Sequence, residues 1–439
     1  MMRGFILDLN KCTGCEACRL ACRIENGIEE ARGWREVYTF NEARFPRLSL
    51  HHLSLACNHC ADAPCMNSCP ALALSRDSAT GAVLLEPQSC IGCRYCGWTC
   101  PFDALRYRSA AGVMSKCTFC RHRLAEGLRP ACAALCPTGA LNYGDLDRAG
   151  TDSVPGFPRT DFGPSIRFIA RRGAGPLPEC TAAPANDAPP APEPGRAPPR
   201  RISLKTEWPL ALFTWMAALL VSLAAVSAAA PLALDPFAFL LAGLASLAIS
   251  SIHLGRKLRA WRAVMNFRAS WLSREVLLFL LFLTLAVLRF FFFPMSRILS
   301  WTAAAAGFAA LYAIDRVYDL TLKGAPTHLH SAGAFLTGVF LAGAFTANPV
   351  AVGLAGILKL AFYAGRKLSF VRRGLPVRPL LSLLRLGFPA LWLFLPGTEA
   401  AIALLSLLAG ELIDRLEYYL EMDAPSPRRQ ITQDLMIAS

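Results

Sequence analysis

Sixteen of the 17 cysteines stand in four groups between Cys12 and Cys136, and their spacing repeats. The groups are Cys12-x2-Cys15-x2-Cys18-x3-Cys22, Cys57-x2-Cys60-x4-Cys65-x3-Cys69, Cys90-x2-Cys93-x2-Cys96-x3-Cys100 and Cys117-x2-Cys120-x11-Cys132-x3-Cys136. Proline follows Cys69, Cys100 and Cys136. Three cysteines at close, regular spacing wrap one cuboidal iron–sulfur cluster, and the fourth, carried off by the following turn, ligates a second. A zinc ribbon uses two separated pairs on one tetrahedral ion. It leaves the third thiol and the trailing Cys-Pro without a role. A disulfide scaffold is also disfavoured. The start, "MMRGFILDLNKCTGC", reaches its first cysteine too early for a signal peptide and has no twin-arginine pair, so the thiols are expected on an unexported domain. Iron–sulfur chemistry, one electron at a time, is the reading that uses every thiol. The basic neighbours Arg94, Lys116, Arg121 and Arg123 either raise cluster potentials or serve as solvated surface and partner contacts.

Such groups need short local elements to hold them. "ALALSRDSATGAVLLE" (71–86) reads as strand, polar turn, strand, and "ALRYRSAAGVMSK" (104–116) repeats the plan. Residues 173–200 are dominated by Pro and Ala without apolar periodicity, a flexible and partly extended linker in which Cys180 is a spare thiol. Beyond it the chain changes solvent. Eight apolar runs follow, roughly 209–230, 237–254, 276–293, 298–316, 331–347, 350–365, 379–396 and 400–420. Each can cross much of a hydrocarbon core about 30 Å thick.

The chain has 439 residues, 54% hydrophobic, and a formal charge of +14. Residues 1–200 hold 23 Lys+Arg against 19 Asp+Glu, and residues 201–439 hold 22 against 12. The excess lies in loops between apolar runs, which reads as membrane topology and not as nucleic-acid binding. Arg201, Lys205, Arg316, Lys323 and the clusters 256–274 and 366–378 fall on the side of the cysteine domain; the other side has Arg289 and Arg297. The positive-inside rule then puts the cysteine domain in the cytoplasm, with contacts to that domain as the competing use of the charges. Three charges stand inside the runs, Lys359, Arg385 and Glu411. Such charges are paired or functional. A structural Lys359–Glu411 ion pair is expected first and a proton path second.

The four groups together resemble the iron–sulfur subunit of dimethyl-sulfoxide-reductase-type molybdoenzymes over residues 4–146, with "CNHCADAPC" and "CIGCRYC" most specific. "SIHLGRKLRAWRAVMNFRASWLSREV" (251–276) resembles the loop between the second and third helices of the membrane anchor of those enzymes, and "GELIDRLEYY" (410–419) its end. The resemblance implies four ligand sets: Cys12, Cys15, Cys18 and Cys136; Cys117, Cys120, Cys132 and Cys22; Cys57, Cys60, Cys65 and Cys100; Cys90, Cys93, Cys96 and Cys69. Some relatives replace one ligand with Trp and hold a three-iron cluster; here Trp98 lies between ligands, so four [4Fe–4S] clusters are expected. The implied architecture is an α+β, tandem bacterial-ferredoxin-like domain over 1–172, a Pro/Ala-rich linker over 173–206, an all-α bundle of eight transmembrane helices over 207–422, and a tail over 423–439.

By the same resemblance the anchor exchanges electrons with a quinone, menaquinone or ubiquinone, without haem, and His253 and Glu275 become quinone-site residues. Quinol gives up two protons with two electrons, so groups that accept protons near neutral pH are needed. A His does so naturally, and a desolvated Glu can be raised towards it. The plainer alternative is a helix-end His and a Glu capping a helix after Ser273. Haem is disfavoured because the histidines beyond 201 are His253, His328 and His330, the last two in a loop, where surface positions are expected. The implied function is electron transfer and anchoring for a separate molybdopterin-containing catalytic subunit in the cytoplasmic (inner) membrane of a bacterium, with the quinone pool as the other redox partner. A cytoplasmic sulfite dehydrogenase fits the inferred orientation better than an exported reductase of dimethyl sulfoxide, sulfur compounds or N-oxides. The alternative is a cluster-fed, redox-driven ion pump or transporter, which calls for several paired charges along a path.

Overall fold

The computed structural model describes residues 2–30, 32–40, 51–146, 154–169, 202–230, 234–319, 330–372, 377–394, 400–422, 424, 426–428 and 430. The chain divides into two compact units, Met1–Arg200 with Ala424–Ser439, and Arg201–Asp423. Cys180, His328 and nearly all of the 173–206 linker lie outside the described residues.

The first unit runs β1 (Met2–Asp8), α1 (Ala17–Glu25), β2 (Glu36–Phe40), β3 (His51–Leu55), α2 (Pro64–Ser68), β4 (Leu74–Arg76), β5 (Val83–Leu85), α3 (Tyr95–Thr99), β6 (Leu105–Arg108), β7 (Val113–Lys116), α4 (Arg121–Ala125), α5 (Ala131–Ala134), β8 (Leu141–Leu146) and β9 (Ile166–Ile169). It is an α+β unit of short pieces. Phe5 and Leu7 of β1 point inward at the two-residue period of a strand, and both are buried. β1 pairs antiparallel with β8, Phe5 opposite Tyr143, and parallel with β9, Phe5 opposite Ile166. The first strand is therefore completed only by residues far along the chain. The two hairpins expected from sequence are present, β4–β5 with Leu74 opposite Leu85 and β6–β7 with Leu105 opposite Lys116.

The second unit is helical: α6 (Leu204–Ala229), α7 (Pro236–Ser251), α8 (Trp271–Val287), α9 (Arg297–Asp319), α10 (Ala334–Phe345), α11 (Pro349–Arg372), α12 (Pro379–Phe394) and α13 (Ala400–Glu421). Against the eight crossings expected, four helices among the described residues are long and apolar enough to cross a membrane. They are α6, α8 with its π-helical continuation to Phe292, α9 and α11. The apolar stretches of α7, α10 and α12 are shorter, and α13 carries too many charges. Caps follow ordinary rules: Asp235 accepts from Ala238 N at 2.6 Å, with Pro236 as the first residue of α7. Gly410 allows close approach of α12 and α13, since an added Cβ would lie 2.6 Å from Pro389.

A ladder of buried charge joins α11, α12 and α13. Glu411, Asp414, Glu417 and Glu421 recur at three- and four-residue intervals and share one face of α13. Lys359 meets Glu411 at 2.8 Å, so the expected ion pair is present. Arg385 of α12 adds contacts to Glu411 at 3.3 Å and Asp414 at 3.1 Å. Arg366 reaches Asp414, Glu417 and Glu421 at 3.3, 3.5 and 3.1 Å, and Lys367 pairs with Glu417 and Glu421. The sequence reading placed three of these eight charges inside apolar runs and read Arg366 and Lys367 as loop charges; both lie within α11 and pair with α13.

Candidate metal centres and membrane site

Each C-x-x-C turn is built in one way. The residue before the second cysteine adopts left-handed backbone: Gly14, His59, Gly92 and Phe119, with φ of 71°, 40°, 72° and 56°. At three of the turns that residue's N–H lies 3.4 Å from the first thiol, as His59 N to Cys57, Gly92 N to Cys90 and Phe119 N to Cys117. Glycine is required at 14, where a Cβ would come within 2.4 Å of the His52 ring. At 59 and 119 the unfavourable backbone is held by ring packing, the two centroids 3.7 Å apart. The x3 spacing is taken up by helix: Cys65 and Cys96 sit on α2 and α3, and Cys69 and Cys100 are their C-caps. The fourth thiol is thereby displaced about 6 Å along the axis from the third.

The sixteen thiols form no disulfide. Cys12, Cys15, Cys18 and Cys136 line one cavity. Cys57, Cys60, Cys65 and Cys100 line a second, and Cys69, Cys90, Cys93 and Cys96 a third. Cys22 has Cys132 and Cys120 as electrostatic neighbours, and Cys117 has Cys22 and Cys132. Neighbouring sets approach through Cys18 and Cys132, through Cys117 and Cys57, and through Cys96 and Cys65. The result is a line of four sets.

The donor chemistry fits polynuclear iron. Burial pushes the Cys22 thiol up to about 12, with Cys132 adding to the effect and Arg35 opposing it. Burial also raises Cys60, Cys65, Cys93, Cys96 and Cys117. Thiols that would stay protonated alone are gathered in fours, and thiolate-bound iron supplies the positive charge such a set needs. The first set is the open one: Cys15 is exposed, and Cys12 and Cys136 are half-buried. Burial works against the Cys136 thiolate, yet donors at Leu141, Thr138 and Ala140 leave its pKa lowered.

The basic neighbours divide. Lys116 is buried, its Nζ donating to the Val83 and Cys117 carbonyls. Arg94 lies over the Tyr107 ring at 4.4 Å, Arg123 pairs with Glu25 at 3.0 Å, and Arg121 is exposed. Arg35 was missed from sequence; it stands thirteen residues past Cys22 in a segment with no cysteine, yet it is 1% exposed and faces thiols of two sets. Burial, with Lys116 and Arg76 beside it, holds His59 well below the usual imidazole range. Its Nδ1 accepts from Val83 N at 2.9 Å, so the proton is on Nε2.

In the second unit, His253 stands two residues past the end of α7, and Glu275 lies in the second turn of α8, with residues 254–270 between them. His253 is half-buried, and its Nδ1 meets the Ser250 carbonyl. A carbonyl only accepts, so Nδ1 carries a proton. Glu275 is buried five residues into the sequence after the Ser270 cap, so it caps nothing. Its electrostatic neighbours are Arg415 and Asp315. Arg415 is buried; it donates to Thr214 Oγ1 and the Ala332 carbonyl, both at 2.8 Å, while its Nη2 has no partner among the described residues. Its guanidinium lies 5.0 Å from the Tyr318 ring, and the Tyr318 and Tyr419 hydroxyls bond to each other. Asp315 accepts from Ala334 N and Phe335 N at 2.7 and 3.0 Å, capping α10 from α9. Sequence reading missed Arg415, Asp315 and the tyrosines. The signal available was the "DRLEYY" charge and ring pattern inside a run read as apolar. His330, expected at the surface, is packed instead: its ring lies 4.1 Å from Tyr418 and Nδ1 accepts from Ala332 N at 2.9 Å.

Residues 48–146 match the 4Fe-4S dicluster domain family, and residues 205–352 match the DMSO reductase anchor subunit (DmsC) family. The B subunit of the anaerobic dimethyl sulfoxide reductase of Escherichia coli K12 is 36% identical over 152 residues, 33% of this protein and 74% of that one. The arsenate respiratory reductase iron-sulfur subunit ArrB of Shewanella sp. ANA-3 is 32% identical over 195 residues, 34% of this protein and 83% of its own length. The thiosulfate reductase electron transfer subunit PhsB of Salmonella typhi is 38% identical over 145 residues, 32% and 75% of the two sequences.

Proposed function

The chain belongs to the family of dimethyl sulfoxide reductase iron–sulfur subunits, here fused to an anchor of the same enzyme type, and on that premise we propose that it links a membrane quinone to a molybdenum-containing catalytic subunit. It transfers electrons and anchors its complex in a membrane. The observation that carries the wire is the line of four thiol sets, each with a thiol beside the next. The four sets hold four [4Fe–4S] clusters, which when bound supply one-electron exchange. The catalytic partner docks at the open first set, where Leu20 and Leu135, within two residues of Cys18 and Cys136 in the chain, stand exposed. An apolar rim around a half-exposed ligand set suits a permanent subunit contact.

At the membrane end quinone is substrate. His253 accepts a proton at Nε2 and Glu275 at its carboxylate, and Arg415, through Nη2, orients a quinone oxygen. Glu275 is buried among Arg415 and Asp315, the kind of intramembrane acid that marks function. We infer that α7, α10, α12 and α13 cross together with the four long helices, the charges of α13 being paired by α11 and α12, in the bilayer of a bacterial inner membrane with the cluster domain in the cytoplasm. The acceptor or donor of the partner is a small oxidised or reduced sulfur or arsenic compound, as the names of the relatives suggest.

A second reading is favoured by the charge ladder on α11–α13, which is longer than sequence led us to expect: a redox-driven ion pump. The ladder includes Arg366 and Arg385, which do not release protons, so it suits a fixed brace better than a relay. Purified anaerobically, the chain should hold close to sixteen irons and sixteen labile sulfides, about four of each per cluster, and quinol in the same vesicles should reduce them. Half that iron, or zinc in its place, overturns the wire; proton uptake into vesicles beyond the quinone stoichiometry turns the reading towards a pump.

A further inference from the structure

Arg35 is a buried cation without a carboxylate among the described residues. It is 1% exposed, and its guanidinium lies over the Phe5 ring at 4.3 Å. Nη1 donates to the Ser54 carbonyl at 3.3 Å and to Ser54 Oγ at 3.1 Å. Ser54 Oγ lies 3.3 Å from Cys18 Sγ, a hydrogen bond that the hydroxyl donates once Cys18 is a thiolate ligand. Nε and Nη2 find no oxygen to donate to, and the guanidinium is within reach of the Cys132 thiol instead. The charges that face Arg35 are Cys132, Cys18, Cys117 and Cys22, one from the first thiol set and three from the second. Among the described residues no element packed there brings it an acid.

An unpaired charge taken out of water is strongly unfavourable. Removing that cost needs negative charge nearby, and two thiolate-bound clusters, each a net anion, are the source the geometry offers. We propose that Arg35 sets the potentials of the first two clusters together, raising both by stabilising the added electron wherever in the pair it resides. The reasoning is Coulombic: a fixed cation favours the more negative, reduced form, and it acts strongly because water is excluded. Arg35 is a positioning charge, not a ligand. Lys116 has a related place at the next junction, but its ammonium is already bonded to two carbonyls; Arg35 keeps donors that only the sulfur sites can use.

This rests on the four-cluster reading, and the two fail differently. Iron and sulfide content of the unaltered chain tests the clusters; midpoint potentials, read by EPR during a redox titration of the full chain, test Arg35. In Arg35→Gln with sixteen irons, two of the four midpoint potentials should fall and two should stay. Four unchanged potentials, or four that move together, overturn the proposal. Should Arg35→Gln hold less iron, Arg35→Lys decides. Full iron with native potentials in the lysine variant supports a role for charge. Loss of iron there as well means the pocket needs the guanidinium's shape and bonds, and the proposal fails.

Discussion

Under the proposed quinone role, Glu275 and His253 are the single side chains on which function would depend most directly. His253→Ala or Glu275→Gln should leave the cluster signals intact while quinone-linked electron transfer slows by roughly 10²–10⁴-fold, the usual contribution of a placed acid–base group. Dyes that reduce the clusters directly should still support turnover. Equal loss in both assays, or in neither, removes these residues from the proton chemistry. A helix-capping role is already excluded for Glu275 by its position inside α8. The cysteines were legible because their chemistry is written in local spacing: each turn needs only its own few residues. Arg35 and Arg415 were not, because their meaning comes from partners brought together by the fold, Cys132 for one and Thr214 for the other. No period or motif in the surrounding sequence carries that information.

At the scale of elements, the ladder makes α13 depend on α11 and α12. Lys359→Met leaves Glu411 with Arg385 and Thr337 as partners, and buried pairs broken on one side typically lose about 3–5 kcal/mol. The variant should aggregate at a lower temperature in detergent than the unaltered chain. Lys359→Met with Glu411→Leu should recover most of the loss, since neutral packing often replaces a buried pair without penalty. A double variant no better than the single one means Glu411 does something other than pair. The hairpins after the second and third cysteine groups were readable from alternation and turn residues. The three-stranded sheet was not, because β1 finds β8 and β9 more than a hundred residues away. Likewise the acids of α13 hid in a segment whose average reads apolar; only pairing with α11 and α12 explains how they are tolerated.

For the whole molecule, the basic loops predict sidedness. A reporter active only in the cytoplasm should be active after Ser439 and silent at Asp235. The reverse pattern turns the protein over and favours an exported catalytic partner. The interleaving of the first unit has one more consequence, in the time the chain is made. The first thiol set needs Cys136, and the sheet closes only with Ile169, 35 residues before α6 begins at Leu204. At ~5–20 residues per second, synthesis covers that interval in roughly 2–7 s. Iron delivery that is slower than this meets a nascent chain whose first helix is already entering the bilayer, so maturation of the electron wire becomes a task performed at the membrane, on a protein whose two ends of work are being built at once.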